Sequence, residues 1–308
     1  MIKATLFALL LSTHTYPSND DLIINYQNKP IVEIQRAEYE IPLSSIPLLN
    51  IEQYNTLLRS LETQICVPPA NAYIGEYGQV IEEKIGVKLH REKFAHLFSH
   101  FFYNHDLKEM DIPTLPIHPR VDSDLLLQIN VKVIGQYVTY FNSRNNSRTN
   151  NITLAAKEID NTVVFPGELF SFNQSVGMRT KSRGFQRAPV IVRGELSEDI
   201  GGGICQVSST LFNAVDQAGL SIVERYSHSK RVHYVPPGRD ATVSWYGPDF
   251  VFQNLYTHPI LLRAKVYGGQ MVVKVLSSDE IDLEPRKVPK TDELEEEQRK
   301  LIQWMNER

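Results

Sequence analysis

Three consecutive glycines, Gly201 to Gly203, stand just before Cys205 in the run G-G-G-I-C-Q-V-S-S-T-L-F-N-A (201–214), and no other stretch constrains this chain more. Glycine has no Cβ and loses the most backbone freedom on folding, so a triplet belongs in a turn and not inside a helix or strand. The residues that follow have helical spacing. Val207, Leu211, Ala214, Val215 and Ala218 recur at i+3 and i+4, and Gly219 stands where a left-handed cap would end the helix. The spacing therefore predicts a turn running into a helix, with Cys205 in the first helical turn. On the helical wheel Cys205, Ser209, Phe212 and Asp216 fall opposite the apolar stripe, away from the core-facing side.

A cysteine at a helix start meets unpaired backbone N–H groups and the positive end of the helix dipole, and both favour the thiolate. The bare turn then reads as a place where an acyl group can approach the sulfur, with N–H groups around Gly203 to Gln206 left to hold an oxyanion. Gly201, Gly202, Gly203, Gln206, Ser208 and Ser209 are the candidate substrate-binding residues of this segment. A plainer reading stands beside it, in which a buried cysteine follows an ordinary glycine turn. Downstream, Y-S-H-S-K-R-V-H-Y-V-P-P-G-R-D-A-T-V (226–243) supplies His228 and His233 as candidate bases and Asp240 as an orienting carboxylate. Arg231 to Val235 within it reads as a strand. Arg179, Arg187, Arg225, Arg231 and Arg239 surround these segments, and their guanidinium forks suit a substrate carboxylate, Arg179 and Arg225 first among them.

The rest of the chain reads as α+β. Leu22–Tyr26 and Ile31–Ile34 form two strands around a turn; Ile51–Ile65 and Arg91–Tyr103 carry helical apolar faces; Ala72–Val87 suggests a strand pair. The proline-rich stretch Asp111–Pro119 reads as an extended linker. A polar patch, Asn142–Asn151, precedes a helix from about Ile152 to Ile159 capped by Asn150 or Thr149, and Asn145, Asn151 and Asn173 sit in N-x-S/T patterns. Near the end, Ile260–Tyr267 and Gln270–Leu276 flank Gly268-Gly269, a hairpin signal. Four segments follow: a signal-like stretch (1–18), a small α+β domain (19–121), a second α+β domain rich in antiparallel sheet that carries the Cys205 helix (122–278), and a charged helical tail (279–308).

A net charge of −4 on 308 residues argues against a surface built to neutralise nucleic-acid phosphates, so no nucleic-acid partner is expected. The apolar run Ala4–Ser12 after Lys3 has the length of a signal-peptide core, which points to an extracytoplasmic protein; a buried first strand is the other reading. No later stretch is long and apolar enough to span a bilayer. Cys66 and Cys205 are the only cysteines, either two free thiols or one pair in an oxidising compartment. His96, His100 and His105 have a spacing that zinc can use, but no H-E-x-x-H glutamate accompanies them and aromatics surround them. No metal and no cofactor are expected.

The motifs F-P-G-E-L-F-S-F-N (165–173), G-M-R-T (177–180), G-G-G-I-C-Q-V-S-S-T-L-F-N-A (201–214), E-R-Y-S-H-S (224–229), Y-V-P-P-G-R-D-A-T-V (234–243) and F-Q-N-L-Y-T-H-P-I (252–260) together resemble the VanW-like domain over roughly Ile134–Leu276. More weakly, P-P-A-N-A (68–72) and K-x-G-x-x-L (84–89) resemble the peptidoglycan-binding domain that often precedes it. The family takes its name from an accessory protein of vancomycin-resistance clusters, and some members are described as L,D-transpeptidases that cross-link stem peptides through a cysteine. The resemblance implies peptidoglycan stem peptides as partners, a secreted or wall-associated location, Cys205 as nucleophile and His228 as base. Its G5 module and the His-Gly-Cys signature of better-known L,D-transpeptidases are absent. Two other functions remain open, a non-catalytic wall-binding factor and a papain-like wall peptidase.

Overall fold

The structure, a computed structural model, describes residues 21–41, 47–104, 106–192 and 195–289. The signal-like run Ala4–Ser12, His105 and the tail beyond Pro289 lie outside the described residues. The fold is α+β with several mostly antiparallel sheets. It divides into two compact units, one comprising residues up to Asn71 with Glu83–Arg120, the other Ala72–Glu82 with the residues from Val121 onward.

In the first unit, Asp21–Tyr26 and Lys29–Gln35 pair antiparallel across Gln27 and Asn28, both at positive φ (52° and 62°), as a two-residue hairpin turn requires. Helix Ile51–Ile65 starts at Asn50, whose side chain accepts from the N–H groups of Glu52 and Gln53. Its Leu57, Leu61 and Ile65 share one core with Phe94, Phe98 and Phe101 of helix Arg91–Asn104. The stretch expected as a linker is largely sheet. Glu109–Asp111 pairs parallel with Asp21–Tyr26, and Thr114–Ile117 pairs antiparallel with Gly86–Leu89. Pro116 is tolerated because Thr114–Ile117 is an edge strand, where a missing donor breaks no second ladder.

The second unit is built on a four-stranded antiparallel sheet in the order Lys132–Tyr140, Gln270–Ser277, Ile260–Tyr267, Thr162–Val164. Gly268-Gly269 closes the expected hairpin, with Tyr267 opposite Gln270. Helices Ile204–Gln217 and Asn146–Ile159 pack on this sheet and on each other. Val207, Leu211, Val215, Ile152, Ile159, Val273 and Val275 are fully buried there, and each such side chain contributes about 1.5–3 kcal/mol. Helix Asn146–Ile159 begins earlier than Ile152, capped by Asn145, whose side chain accepts from the Arg148 N–H. Its first turns, N-S-R-T-N-N, carry no apolar residue, so the helical period only becomes visible at Ile152.

Two features of this unit aim the site. The hairpin Arg187–Val192 with Glu195–Ile200 runs directly into the glycine turn. The small sheet Leu169–Ser171, Val251–Gln253, Ser221–Glu224 delivers the chain to the segment 225–243. That segment is irregular, so the strand expected at Arg231–Val235 is absent; Pro236 and Pro237 follow it, and side-chain hydrogen bonds fix it in place of a ladder. Residues 279–289 are likewise not helical. Pro285 and Pro289 interrupt them, Ile281 and Val288 bury into the core, and Arg286 pairs with Asp216 at 2.8 Å.

Candidate functional site

The glycine turn is bare because the protein fills the space around it. A Cβ on Gly202 would come within 2.5 Å of the Ala188 carbonyl oxygen and 2.6 Å of that of Pro189. Gly203, with φ of 109°, is the N-cap of helix Ile204–Gln217, and a Cβ there would meet Ile152 at 2.9 Å. Asn151, buried and not the glycan acceptor its N-x-T pattern suggests, pins the turn: its Nδ2 donates to the carbonyls of Gln186 (2.9 Å) and Gly202 (3.0 Å), and its Oδ1 accepts from the Gln186 N–H. Gly201 and Gly203 nonetheless line the cleft beside Cys205. They permit a left-handed cap pressed between a strand and a helix.

Of the four N–H groups that open the helix, Ile204 donates to the Gly201 carbonyl (3.2 Å) and Gln206 to that of Gly203 (3.0 Å). Those of Gly203 and Cys205 make no hydrogen bond among the described residues. The pair able to face an oxyanion is thus narrower than the span Gly203 to Gln206.

The helix face opposite the apolar stripe is covered, not solvated. Ser208 Oγ donates to the Ala241 carbonyl (2.6 Å); Ser209 Oγ accepts from the Ala241 N–H (2.9 Å) and donates to the Cys205 carbonyl (2.6 Å). Asn213 exchanges hydrogen bonds with Arg239, whose guanidinium also meets Asp216 at 2.7 Å. Arg225 donates to the carbonyls of Asp240 and Gly238, both at 2.7 Å, and it and Arg239 each lie over the Phe212 ring, at 4.8 and 4.5 Å from its centroid. Ser208, Ser209, Arg225 and Arg239 therefore hold segment 225–243 against the helix and do not reach for a ligand. Gln206 is also occupied: its amide donates to Thr139 Oγ1 and the Tyr140 carbonyl, and its oxygen accepts from Arg148 Nη2 at 2.8 Å.

That clamp brings Asp240, His228 and Cys205 together. Asp240 Oδ2 accepts from His228 Nδ1 at 2.7 Å, both side chains being over nine-tenths buried, and His228 stands close enough to the Cys205 side chain for the two to shift each other's protonation. With Nδ1 taken by the carboxylate, Nε2 is the nitrogen available to the sulfur. Cys205 Sγ also lies 3.8 Å from Thr242 Oγ1 and 3.5 Å from the Val243 carbonyl oxygen. Burial pushes the Cys205 thiol up, but the hydrogen bond and charge of His228 outweigh it and leave the group below the ordinary thiol range. Burial pulls His228 down, and Cys205 and Asp240 outweigh that, so the imidazole sits above its ordinary value. Both shifts favour a thiolate–imidazolium pair, with the carboxylate supporting the imidazolium. Tyr234 stands beside it as a neutral phenol, pushed well up by burial and by the Cys205 charge.

Cys205 opens onto a cleft of about 1440 Å³, larger than the ~300–1,000 Å³ typical of small-ligand pockets and roomy enough for a peptide. On its rim lie Trp245 and the almost fully exposed Tyr246, on a turn whose ends are tied by Asn173 Nδ2 to the carbonyls of Ser244 and Pro248. Asn173 Oδ1 accepts from Arg179 Nη2 at 2.8 Å, and Arg179 lines the cleft. His233 and Arg231 are exposed cleft residues with no tie to the Cys205–His228–Asp240 chain, and Arg187 is exposed and bonded to the Glu198 carbonyl. Cys66 is an exposed free thiol, and Cys205 is also free. Arg148, Tyr234 and Thr242 were not singled out from the sequence. Tyr234 and Thr242 lie within the quoted 226–243 motif and could have been found there; Arg148, in the polar patch before Ile152, gave no such signal.

Residues 147–276 match the family described as VanW like protein. The chain is 50% identical over 290 residues to the uncharacterized protein YoaR of Bacillus subtilis, covering 94% of this chain and 96% of that one. It is 33% identical over 99 residues to the vancomycin B-type resistance protein VanW of Enterococcus faecalis, covering 30% of this chain and 36% of that one. No solved structure is significantly similar to it.

Proposed function

Because this chain belongs to the VanW-like family, we propose that it is a cysteine-dependent acyl transferase of the cell wall, an L,D-transpeptidase acting on peptidoglycan stem peptides. The observation that carries the reading is the grouping of Cys205 with His228, itself hydrogen-bonded to Asp240, at a helix start on the wall of a peptide-sized cleft. The name of the Enterococcus relative ties the family to vancomycin resistance, and so to the wall. A new peptide bond made outside the cell without a nucleotide must be exchanged for an existing one, which calls for an acyl-enzyme.

The Cys205 thiolate attacks the carbonyl of the third stem residue, and the N–H groups of Gly203 and Cys205 receive the oxyanion. His228, protonated in the resting pair, gives its proton to the departing D-alanine amine as the C–N bond breaks, leaving a thioester. The now neutral His228 takes a proton from the acceptor's side-chain amine, whose nitrogen attacks the thioester carbonyl; the C–S bond breaks and the thiolate and imidazolium are restored.

Incubation of the protein and its Cys205→Ala variant with disaccharide-tetrapeptides, read by mass spectrometry, tests this. The expected product is a cross-linked dimer with loss of D-alanine, from the unaltered protein alone. Tripeptide without dimer would replace transfer with hydrolysis. Equal ligand binding by both proteins without turnover would make the protein a wall-binding factor.

A further inference from the structure

Two cations at this site have no carboxylate counterion among the described residues. Arg179 lies with its Cβ and Cγ 3.4 Å from where a Gly201 side chain would begin, and Arg148 lies with its Cγ 3.1 Å from the same point on Gly203, so the two flank the turn before Cys205. Neither makes an ion pair among the described residues. Arg179 spends Nη2 on the Asn173 amide, while its Nη1 is buried without a partner. Arg148 spends Nη2 on the Gln206 amide. The carboxylate whose charge Arg179 feels, Asp249, is occupied by Ser171 Oγ and the N–H groups of Asn173 and Phe250. Burial weakens the charged form of both guanidinium groups, and the Cys205 charge opposes that in each.

Desolvated cations held by neutral amides are costly unless an anion completes them. The thiolate is one such anion, but its charge is already met by His228, and Asp240 is met by His228 and Arg225. Lys230 and Arg231 add positive charge to the same cleft, against the exposed Asp199. Among the described residues the positive charge of the cleft exceeds the negative, and guanidinium groups are the side chains best shaped for a carboxylate.

We propose that Arg148 and Arg179 form the carboxylate subsite of the Cys205 cleft, and that the acyl donor is a peptide whose free C-terminal carboxylate lies one residue beyond the carbonyl attacked. This rests on the acyl-transfer reading for the word donor, but the subsite itself does not need turnover. Both arginines flank the turn before Cys205 and line its cleft, and one extended residue spans only ~3.5 Å, so the carboxylate of a residue leaving at Cys205 stays close to that turn. The site therefore selects the last peptide bond of its donor.

The test alkylates Cys205 in a Cys66→Ser background with iodoacetate and with iodoacetamide, reagents that form the same S–C bond with loss of iodide and differ by one carboxylate. The ratio of the two rates cancels the thiolate fraction, so it reports the anion site alone. Iodoacetate should react at least about tenfold faster, and Arg148→Gln and Arg179→Gln should bring the ratio close to that of a small free thiol. On the unsubstituted arginines, N-acetyl-D-alanine should slow alkylation and N-acetyl-D-alaninamide should not, which needs no folded variant. Equal rates for the two reagents, or equal protection by acid and amide, would overturn the subsite. Failure of the tetrapeptide assay with the rate ratio intact would remove the transpeptidase reading and leave the carboxylate site standing.

Discussion

Asp240 Oδ2 accepts two hydrogen bonds from a single residue, the backbone N–H of His228 at 2.6 Å and its ring Nδ1 at 2.7 Å. One oxygen thus sets both the chain and the ring of the base. An asparagine has the same shape but carries no charge to support the imidazolium, and its NH2 group can favour the wrong tautomer. Asp240→Asn should lower the rate of acyl transfer by about 10²–10⁴-fold. Burial pushes the Asp240 carboxyl up and the His228 bonds pull it further down, to below its ordinary range. A lowered folded value gives stability that is present above the unfolded value of ~3.9 and lost as pH falls through the folded one. Urea unfolding should therefore show a gap of about 1.5–3 kcal/mol between the two proteins at neutral pH, closing in acid. A gap independent of pH would contradict this account.

The Cys205 thiol is held below its ordinary range and His228 above its own, each chiefly by the other once burial is overcome. Both shifts act to favour the charged pair over the neutral one. Acyl transfer should rise with pH through the lowered cysteine value, as the thiolate forms. It should fall through the raised histidine value, as the leaving amine loses its proton donor. Thiolate absorbance, taken as the difference from Cys205→Ser, should have its midpoint below ~8.5, and His228→Gln should carry that midpoint up. An unchanged midpoint in His228→Gln would mean that the histidine does not support the thiolate.

How much of this was legible beforehand depended on whether side chains or backbone did the work. Helix Ile51–Ile65 and the Gly268-Gly269 hairpin follow from local periodicity and turn chemistry, and the sequence carries them in full. The spacing of Val207, Leu211 and Val215 placed Cys205 at the start of its helix. It could not show that the opposite face is buried, because Ser208, Ser209 and Asn213 look solvated until residues distant in sequence supply their hydrogen bonds. Edge-strand pairing at Thr114–Ile117 was hidden by prolines that a two-stranded ribbon accepts. Arg148 was missed because its importance comes from Gly203, which only the fold places beside it.

Gly202 separates two explanations of the glycine turn. If bareness served a substrate, alanine there would leave folding intact and raise KM. The structure instead sets the missing Cβ against the backbone oxygens of Ala188 and Pro189, which cannot swing aside as a side chain can. Gly202→Ala should lower the unfolding free energy by about 1–3 kcal/mol and slow alkylation of Cys205 as the turn shifts. Urea unfolding followed by tryptophan fluorescence checks the first and intact-protein mass spectrometry the second.

Ser209 tests whether the clamp acts at a distance. Its Oγ accepts from the Ala241 N–H and donates to the Cys205 carbonyl, linking the residue after Asp240 to the nucleophile's own peptide. Ser209 and Ala241 are fully buried, so Ser209→Ala strands an N–H and should cost about 1–3 kcal/mol of stability. A released Ala241 lets Asp240 move from His228, which loses part of what raises it. The alkaline limb of the pH–rate profile should then shift down and kcat fall, with KM unchanged. A serine that bound substrate would do the reverse, raising KM and leaving that limb in place. A positioning role therefore predicts movement in the titration of a residue that Ser209 does not touch.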